Sequence, residues 1–341
     1  MSAILQRTAV HVTGAAAASL PPGNPGCNIV VGCNQFGTRL EDVPAALALM
    51  EQLGLGELDT ARVYGGGQSE AVLGSAMGKL RTAAPFLATK VAPPLGYAPL
   101  LASLEASLAA LQKESVDLFY LHSPDPGASL AGTLRAVGEA HRAGKFKELG
   151  LSNFAAWQVV QIVAYCREHG IVAPTAFQGS YHVLQRHQTE AELLPALRAH
   201  GIRFLAYSPL AGGLLTGKHG FNSVPTEGRY EGGAASRWGE RWWKEELFQA
   251  VAELQAECEG KHSIPLAAAA IRWVAFHSAL ERKHGDAVIL GASSLQQLAS
   301  NAECVGDGAL PEALVSFMDT LAEMPSVRGV VPAIGSKHMT L

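Results

Sequence analysis

Four polar residues that together could carry out acid–base chemistry lie at or just after the ends of successive β-rich runs. Asp59 belongs to the run ELDTA and Tyr64 follows it by five residues, while Lys90 ends FLATK and His122 ends VDLFYLH. If these runs are neighbouring parallel strands, their carboxyl ends meet at one rim, where enzymes of such folds place their reactive groups. We therefore expect the four side chains to converge.

This combination suits proton transfer to a carbonyl oxygen. A tyrosine with a pKa of about 10 is a poor proton donor at neutral pH, but an ammonium such as that of Lys90 would stabilise the phenolate and lower the pKa of Tyr64. Asp59 would position the lysine, and His122 would hydrogen-bond the carbonyl oxygen and orient it. Because no side chain can deliver a hydride, reduction of that carbonyl would need a nicotinamide cofactor.

Each residue also has an ordinary structural interpretation. Asp59 could belong to a simple turn and Tyr64 could be a loop aromatic. Lys90 could be a rim lysine that extends to solvent, and His122 could cap a strand end. Only their shared placement favours catalysis, because the structural interpretations do not require the four residues to lie on one face.

The runs that carry these residues recur along the chain. Seven β-rich runs follow one another about every thirty residues, the length of one βα unit, and an eighth comes later, near position 287. Amphipathic stretches such as AALALMEQL and TLRAVGEAHRA separate them. Eight such units predict an α/β fold, a closed (β/α)8 TIM barrel with its helices outside. A doubly wound open sheet is the alternative, but its G-x-G-x-x-G turn is missing from CNQFGTRLED, which follows the first run.

The spacing breaks between the seventh and eighth runs. Residues 213–243 are rich in glycine, serine and arginine and predict a long irregular loop, followed by two helical runs before the last strand and by an extra helix near 311. We therefore expect a disordered extension over 1–27, a barrel domain over 28–325 and an irregular tail over 326–341. An organelle transit peptide is the alternative interpretation of the extension, weakened by its single arginine.

The composition limits the class of protein. Hydrophobic residues make up 48% of the 341 residues and charged residues only 16%, which indicates a large buried core and argues against disorder. The net charge of −4 offers no broad basic surface for nucleic acid. No apolar run reaches the roughly 20 residues that cross a bilayer. Five scattered cysteines without a CxxC pair predict reduced thiols in a cytoplasmic protein.

Seven segments together resemble the aldo-keto reductases, namely LDTARVYGGGQSEAVLG, FLATKV, VDLFYLHSPDP, GKFKELGLSNF, FQGSYHVLQR, AYSPLAGGLLTGK and VILGASSLQQLASN. The likeness extends from about Cys33 to about Asn301 and is strongest with the aflatoxin aldehyde reductase branch, which also reduces succinic semialdehyde. The resemblance implies reduction of small aldehydes or reactive ketones with NADPH. It makes Tyr64 the proton donor and His122 the residue that orients the substrate, with the supporting pair Asp59 and Lys90.

The resemblance also implies where the cofactor binds. Residues of LSNF and FQG match positions that hold the nicotinamide carboxamide, and SPLAGGLLTGK matches a loop that crosses the pyrophosphate. Glycines would let this loop approach phosphate closely. Arg229 matches a basic contact, and the turn after the last strand matches the site of the adenosine phosphate, although its serines could equally cap a helix. The implied contacts are Ser152, Asn153, Gln178, Ser208, Pro209, Leu210, Gly212, Gly213, Lys218, Arg229, Gly291, Ser293, Ser294, Gln297 and Asn301.

Two positions depart from the branch. A substrate-contacting tyrosine of the branch aligns near Trp238, which predicts a more apolar or differently shaped pocket. Members of the branch also have a terminal arginine that binds a substrate carboxylate, and Arg328 falls one position away from it. Trp238 and Arg328 are therefore expected to contact substrate beside His122. His182 and His187 are five residues apart, which is the wrong spacing for one helix face, so no metal site is expected.

Other activities stay open at this stage. One is a cofactor-sensing subunit of a potassium channel with slow redox chemistry. Another is an NADP-dependent dehydrogenase that oxidises a sugar or a pyridoxal-type alcohol. NADH in place of NADPH is a further alternative. Since homodimers are common in the resembled branch, a homodimer is an expectation that rests on the resemblance.

Overall fold

Eight parallel strands form a closed barrel in a computed structural model that describes residues 26–78, 84–226, 228–236, 238–331 and 339. Each strand pairs in parallel with the next, and the eighth pairs with the first. The predicted (β/α)8 TIM barrel is therefore confirmed. The strands are β1 (Asn28–Gly32), β2 (Glu57–Asp59), β3 (Phe86–Val91), β4 (Val116–Leu121), β5 (Phe146–Ser152), β6 (Pro174–Ser180), β7 (Arg203–Tyr207) and β8 (Ala287–Gly291).

Helices surround the barrel in chain order, and the ring closes where α10 packs against both α9 and α1. Their bounds are α1 (Val43–Gln52), α2 (Gln68–Met77), α3 (Tyr97–Leu111), α4 (Leu130–Arg142), α5 (Ala156–Glu168), α6 (Leu194–Ala199), α7 (Gly239–Trp242), α8 (Glu245–Gln255), α9 (Leu266–Phe276), α10 (Leu295–Gly306), α11 (Glu312–Glu323) and α12 (Pro325–Arg328). One π-helical segment precedes α6 at Thr189–Leu193, and another follows α8 at Ala256–Lys261.

Strand β4 shows why the strands read as apolar runs. Leu118 and Tyr120 belong to the small cluster that fills the barrel interior, whereas Phe119 and Leu121 pack in the larger core between the strands and the helices. All four are fully buried, because the strands of a parallel barrel are covered on both faces. The two faces therefore both require apolar side chains.

The long connection between β7 and β8 is present as predicted, but it contains helical turns that we did not predict. Two 3-10 segments lie at Ala211–Thr216 and Gly233–Ala235, and α7 forms one α-helical turn. Tyr230 holds the connection together by donating to the carbonyl of Ala211 at 2.6 Å, and Trp243 donates to that of Phe221 at 3.0 Å. The expectation of a segment too irregular for a helix is therefore wrong at α7, where these aromatic anchors order the chain.

The predicted termini need two corrections. Residues 1–25 lie outside the described residues, but Cys27 is fully buried and its amide donates to the carbonyl of Ala275, so it belongs to the barrel and not to the extension. Helix α11 confirms the extra helix beyond the last strand. The tail, predicted to be irregular, begins within the short helix α12, which packs against α8. Positions 332–338 and 340–341 of the tail are also outside the described residues.

Within the described ranges, no helix is both long enough and apolar enough to cross a membrane. The same residues contain no cluster of three or more histidine, cysteine or acidic side chains arranged to hold a metal ion. All five cysteines are free thiols, in agreement with the sequence prediction.

Candidate active site

Lys90 lies at the centre of the predicted catalytic group and is fully buried. Its ammonium donates to Asp59 Oδ1 at 2.6 Å, to the carbonyl of Thr60 at 2.8 Å and to the Tyr64 hydroxyl at 3.1 Å. These three bonds use all three N–H donors of the ammonium. The interpretation of Lys90 as a rim lysine that extends to solvent is therefore wrong. Because the Tyr64 oxygen accepts from Lys90, its own proton is left for another acceptor.

The segment that carries Tyr64 is a tight turn between β2 and α2. Three consecutive glycines, Gly65 to Gly67, follow the tyrosine with φ of 57°, 65° and 99°, a left-handed backbone that glycine adopts without strain. The amide of Tyr64 donates to the carbonyl of Ala61 at 3.0 Å. These features shape the turn from which Tyr64 reaches Lys90.

Two buried hydrogen-bond groups fasten the start of α2 to the barrel. The Ser69 hydroxyl donates to the carbonyl of Cys33 at 2.7 Å and lies 2.8 Å from the hydroxyl of Thr60. Glu70, also fully buried, accepts from Thr89 at 2.6 Å and from Arg62 at 3.3 Å. The turn that presents Tyr64 is thus held at both of its ends.

Burial has the largest effect on the Tyr64 phenol. It raises the pKa of Tyr64 above the ordinary value, and the nearby charge of Asp59 adds to that rise. The ammonium of Lys90 and the guanidinium of Arg229 lower the pKa of Tyr64, but they do not cancel the effect of burial. Lys90 therefore acts in the predicted direction, while the net shift is upward. At neutral pH the phenol is protonated and able to donate.

Burial disfavours the charge of Lys90, yet its partners outweigh burial. Asp59 and Tyr64 together raise the pKa of Lys90 above the ordinary value of a lysine. The lysine is therefore an ammonium throughout the neutral pH range, held beside the oxygen of Tyr64.

His122 follows directly after β4 and lies beside Tyr64, as the strand spacing predicts. The two rings meet edge to face, with centroids 5.8 Å apart and planes at 83°. The His122 amide donates to the carbonyl of Val91 at 2.9 Å, which ties the end of β4 to the end of β3. The four predicted catalytic side chains do converge on one rim.

Three of the implied nicotinamide contacts join the same network. Gln178 donates to Asp59 Oδ2 at 2.8 Å, so both oxygens of this carboxylate accept hydrogen bonds. The Asn153 amide donates to the carbonyl of His122 at 2.9 Å and to the Ser152 hydroxyl at 3.0 Å. Asn153 has a φ of 64°, in the left-handed region that is uncommon for a residue other than glycine. Ser152, Asn153 and Gln178 therefore lie next to the catalytic group.

The segment Ser208–Lys218 makes a sharp turn after β7. Ser208 and Ala211 have φ of 56° and 48°, and Gly212 and Gly213 follow with 71° and 116°. The amide of Gly213 donates to the carbonyl of Leu210 at 2.8 Å, and Pro209 precedes that residue in the turn. A Cβ on Gly213 would meet no atom within 4 Å, so this backbone borders open space. Lys218 is exposed just beyond the turn.

Trp238 and Arg229 cover the other side of this turn. A Cβ added at Gly212 would lie 2.8 Å from the ring of Trp238, so the glycine permits the close approach of the indole. The guanidinium of Arg229 lies 5.1 Å from the centre of the same ring. Since Arg229 also lowers the pKa of Tyr64, its charge reaches the catalytic group.

The turn after β8 is organised as a capped helix start. The Ser294 hydroxyl accepts from the amide of Gln297 at 3.2 Å, and the Gln297 side chain accepts from Ser293. Asn301 donates to the carbonyl of Gly291 at 3.2 Å. Ser294 therefore caps α10, whereas Ser293 donates only to the side chain of Gln297. The helix has twelve residues, and its N-terminal end is partially positive and suited to an anion.

Arg328 is a predicted site residue that we do not find in this network. Its half-exposed guanidinium donates to Glu323 at 3.1 Å, at the end of α11. Among the contacts described for Arg328, none is with the catalytic group.

Three further contributors to the site were not predicted from the sequence. The carbonyl of Thr60 accepts from Lys90, the Tyr207 hydroxyl donates to Asn153 Oδ1 at 2.7 Å, and the ring of Tyr120 lies 5.7 Å from Lys90 Nζ. Strand periodicity could have indicated Tyr120, because it lies two residues before His122 and hence on the same face of β4. A backbone carbonyl carries no sequence signal.

The chain is also similar in sequence to known proteins. The model of the aldo/keto reductase family matches residues 28–323. Aflatoxin B1 aldehyde reductase member 2 of Rattus norvegicus is 42% identical over 314 residues, covering 88% of this chain and 85% of that protein. The Homo sapiens member 2 is 41% identical over 341 residues, covering 92% and 93%. Member 4 of Homo sapiens is 42% identical over 305 residues, covering 84% and 91%. The chain therefore belongs to the aldo/keto reductase family of oxidoreductases.

Proposed function

We propose that this protein reduces small aldehydes or reactive ketones to alcohols with NADPH, and that Tyr64 donates the proton. The observation that carries the proposal is the buried ammonium of Lys90, which donates to the Tyr64 oxygen at 3.1 Å beside the ring of His122. A protonated phenol in this position can donate to an oxygen that gains negative charge during reduction.

In this proposal each residue of the catalytic group has one role. Tyr64 transfers its proton to the substrate oxygen, and Lys90 stabilises the phenolate that is left. Asp59 holds Lys90 in place, since the carboxylate accepts from both Lys90 and Gln178. His122 hydrogen-bonds the carbonyl oxygen and aligns it with Tyr64.

The residues around the rim fit nicotinamide adenine dinucleotide phosphate. NADPH, when bound, supplies the hydride that no side chain can deliver. The side chains of Asn153 and Gln178 lie beside the catalytic group, where the carboxamide would bind, and the backbone at Gly213 borders open space that a pyrophosphate would occupy. The capped start of α10 suits the adenosine phosphate. Lys218 and Arg229 supply positive charge for these groups.

The substrate pocket is proposed to lie between His122 and Trp238. The indole of Trp238 packs against Gly212 and Arg229 and gives the pocket an apolar wall. Arg328 would have to exchange Glu323 for a substrate carboxylate in order to select acidic aldehydes. The names of the relatives, aflatoxin B1 aldehyde reductases, favour a reductase over a channel subunit or an alcohol dehydrogenase.

The proposal is tested by following NADPH absorbance with nitrobenzaldehyde and succinic semialdehyde as substrates. We expect Tyr64→Phe to lower kcat by about 10²- to 10⁴-fold, the usual contribution of a positioned proton donor. Tyr97→Phe is the matched control, because Tyr97 is a surface tyrosine whose hydroxyl bonds to Glu139. Unchanged turnover in Tyr64→Phe would contradict the mechanism, and equal rates with NADH and NADPH would contradict the cofactor.

A further inference from the structure

Tyr120 is a buried aromatic residue that lies directly beneath the catalytic group. It is fully buried in the barrel interior and pairs in register with Lys90 of the neighbouring strand. Its ring centre is 5.7 Å from Lys90 Nζ, and the ring of Tyr64 lies 4.7 Å from the same atom. Two aromatic rings thus border an ammonium whose three N–H donors are already occupied.

The barrel provides space for this ring through its neighbours. Gly150 is the register partner of Tyr120 on β5, and a Cβ at Gly150 would collide with the Tyr120 ring. The register partner of Gly150 on the next strand, β6, is the small residue Ala176. Ala88 and Ala287 are also small members of the interior cluster around the ring. The interior is therefore built to accept one large aromatic side chain at this level.

The ring offers Lys90 two things that an aliphatic side chain would not. Its negative face attracts a cation, most strongly where water is excluded. It also fills the space below the ammonium, so that Lys90 keeps the position from which it reaches the Tyr64 oxygen. The hydrogen bond from Lys90 to Tyr64 is the longest of the three, at 3.1 Å against 2.6 Å and 2.8 Å. It is therefore the bond that a small movement of Lys90 breaks first.

We propose that Tyr120 is a positioning residue for the reduction, whose ring holds the Lys90 ammonium against the hydroxyl of Tyr64. The inference rests on the proposed function of Tyr64 as proton donor. It assigns the effect to the aromatic ring and not to the Tyr120 hydroxyl. Without the ring, Lys90 stabilises the Tyr64 phenolate less well and proton donation slows.

Three variants of Tyr120 and one control separate this role from ordinary packing. Tyr120→Phe keeps the ring, Tyr120→Leu removes it, and Tyr120→Met removes it while a flexible side chain fills the space. Phe119→Leu is the matched control, because Phe119 is an equally buried aromatic on the same strand that packs against Phe146 on the helix side. Circular dichroism shows which variants are folded.

We expect Tyr120→Phe to keep kcat within about twofold of the wild type. Tyr120→Leu and Tyr120→Met should lower kcat by on the order of tenfold to thirtyfold, the effect of losing a desolvated cation–π contact. The KM for NADPH should not change, since the ring lies beneath Lys90 and not at the rim. The solvent deuterium isotope effect on kcat should rise only in the variants without the ring, because proton transfer becomes slower in them.

A second readout does not depend on activity. The titration of Tyr64 is obtained from tyrosinate absorbance as the difference between each protein and the same protein carrying Tyr64→Phe. We expect this titration to move to higher pH in Tyr120→Leu and Tyr120→Met, but not in Phe119→Leu.

Two results would overturn the inference: equal behaviour of Tyr120→Leu, Tyr120→Met and Phe119→Leu, or an equal loss of kcat in Tyr120→Phe and Tyr120→Leu. A wild type that turns over no carbonyl with NADPH would refute the proposed function instead. The absorbance titration would then still decide whether Tyr120 holds Lys90 against Tyr64.

Discussion

Replacing Lys90 with methionine would separate two consequences of the buried ion pair at the centre of the site. Methionine has a similar length and no charge, so the change removes the bonds to Asp59, Thr60 and Tyr64 together. Stability and catalysis then respond for different physical reasons, which a double variant that also removes the charge of Asp59 distinguishes.

The loss of stability comes from the carboxylate that is left behind. Asp59 is 2% exposed and would keep only the hydrogen bond from Gln178. Removing one partner of a buried ion pair costs about 3–5 kcal/mol, because the other charge is left uncompensated. We therefore expect Lys90→Met to lower the free energy of unfolding in urea by about that amount.

The loss of activity comes from the phenol. Burial raises the pKa of Tyr64 and Lys90 opposes this rise, so the variant has a still weaker acid at this position. We expect kcat for aldehyde reduction at neutral pH to fall by about 10²- to 10⁴-fold, which is equivalent to about 3–5 kcal/mol in the barrier.

The double variant Asp59→Asn with Lys90→Met decides between these causes. It removes both charges, so the free energy of unfolding should return to within about 2 kcal/mol of the wild type. Its reductase activity should stay as low as that of Lys90→Met, because no ammonium faces Tyr64. Recovery of activity together with stability would refute the argument, since the single variant would then be inactive only because it is unstable.

Two further predictions concern stability outside the catalytic group. Burial, with the charge of Arg241, lowers the pKa of His182 to about 3, so the unfolded chain binds a proton there that the folded protein does not. Stability should therefore fall as pH drops from about 6.5 towards 3, by about 1.4 kcal/mol per pH unit, and His182→Leu should reduce this slope in urea titrations. Asp286 is fully buried and accepts hydrogen bonds from Arg198 and from the amides of Phe204 and Glu281. We expect Asp286→Ala to lower the free energy of unfolding by about 3–5 kcal/mol and to leave kcat per folded molecule unchanged.

Exposed residues of the same types provide the controls for these two predictions. His169→Gln replaces an exposed histidine and serves as the comparison for His182→Leu, and Asp307→Ala should leave the unfolding free energy nearly unchanged. An identical acid slope in His182→Leu and the wild type would show that His182 is not the group responsible. A wild-type midpoint in Asp286→Ala would show that its hydrogen bonds do not hold β7 and β8 together.

Asp59, Tyr64, Lys90 and His122 converge as predicted, because their convergence depends only on strand spacing. Parallel strands that recur at a regular interval bring their carboxyl ends to one rim, whatever the packing details. The burial and electrostatic surroundings of these residues could not be predicted from the sequence. Lys90 could not be told from a rim lysine, since its burial depends on side chains from several strands. The direction of the net pKa shift of Tyr64 could not be predicted either, because burial raises this pKa by more than the charge of Lys90 lowers it.

The sequence also did not predict the short helices whose formation depends on residues distant in the chain. Helix α7 forms in a segment whose composition indicates a loop, and the contacts of Tyr230 and Trp243 with remote carbonyls order that segment. Helix α12 forms because it packs on α8. The placement of Arg328 follows from neither pattern nor spacing, since it depends on the hydrogen bond that its guanidinium donates to Glu323.

The amino-acid sequence by itself determined the barrel, the rim at which chemistry can occur and the four residue types that meet there. These depend on periodicity and chain connectivity, which are local properties of the sequence. Only the tertiary structure decided that Lys90 uses all its donors inside the protein, that burial raises the net pKa of Tyr64 and that Tyr120 lies beneath them. Those features depend on desolvation and on contacts across the barrel, and both exist only once the strands have closed.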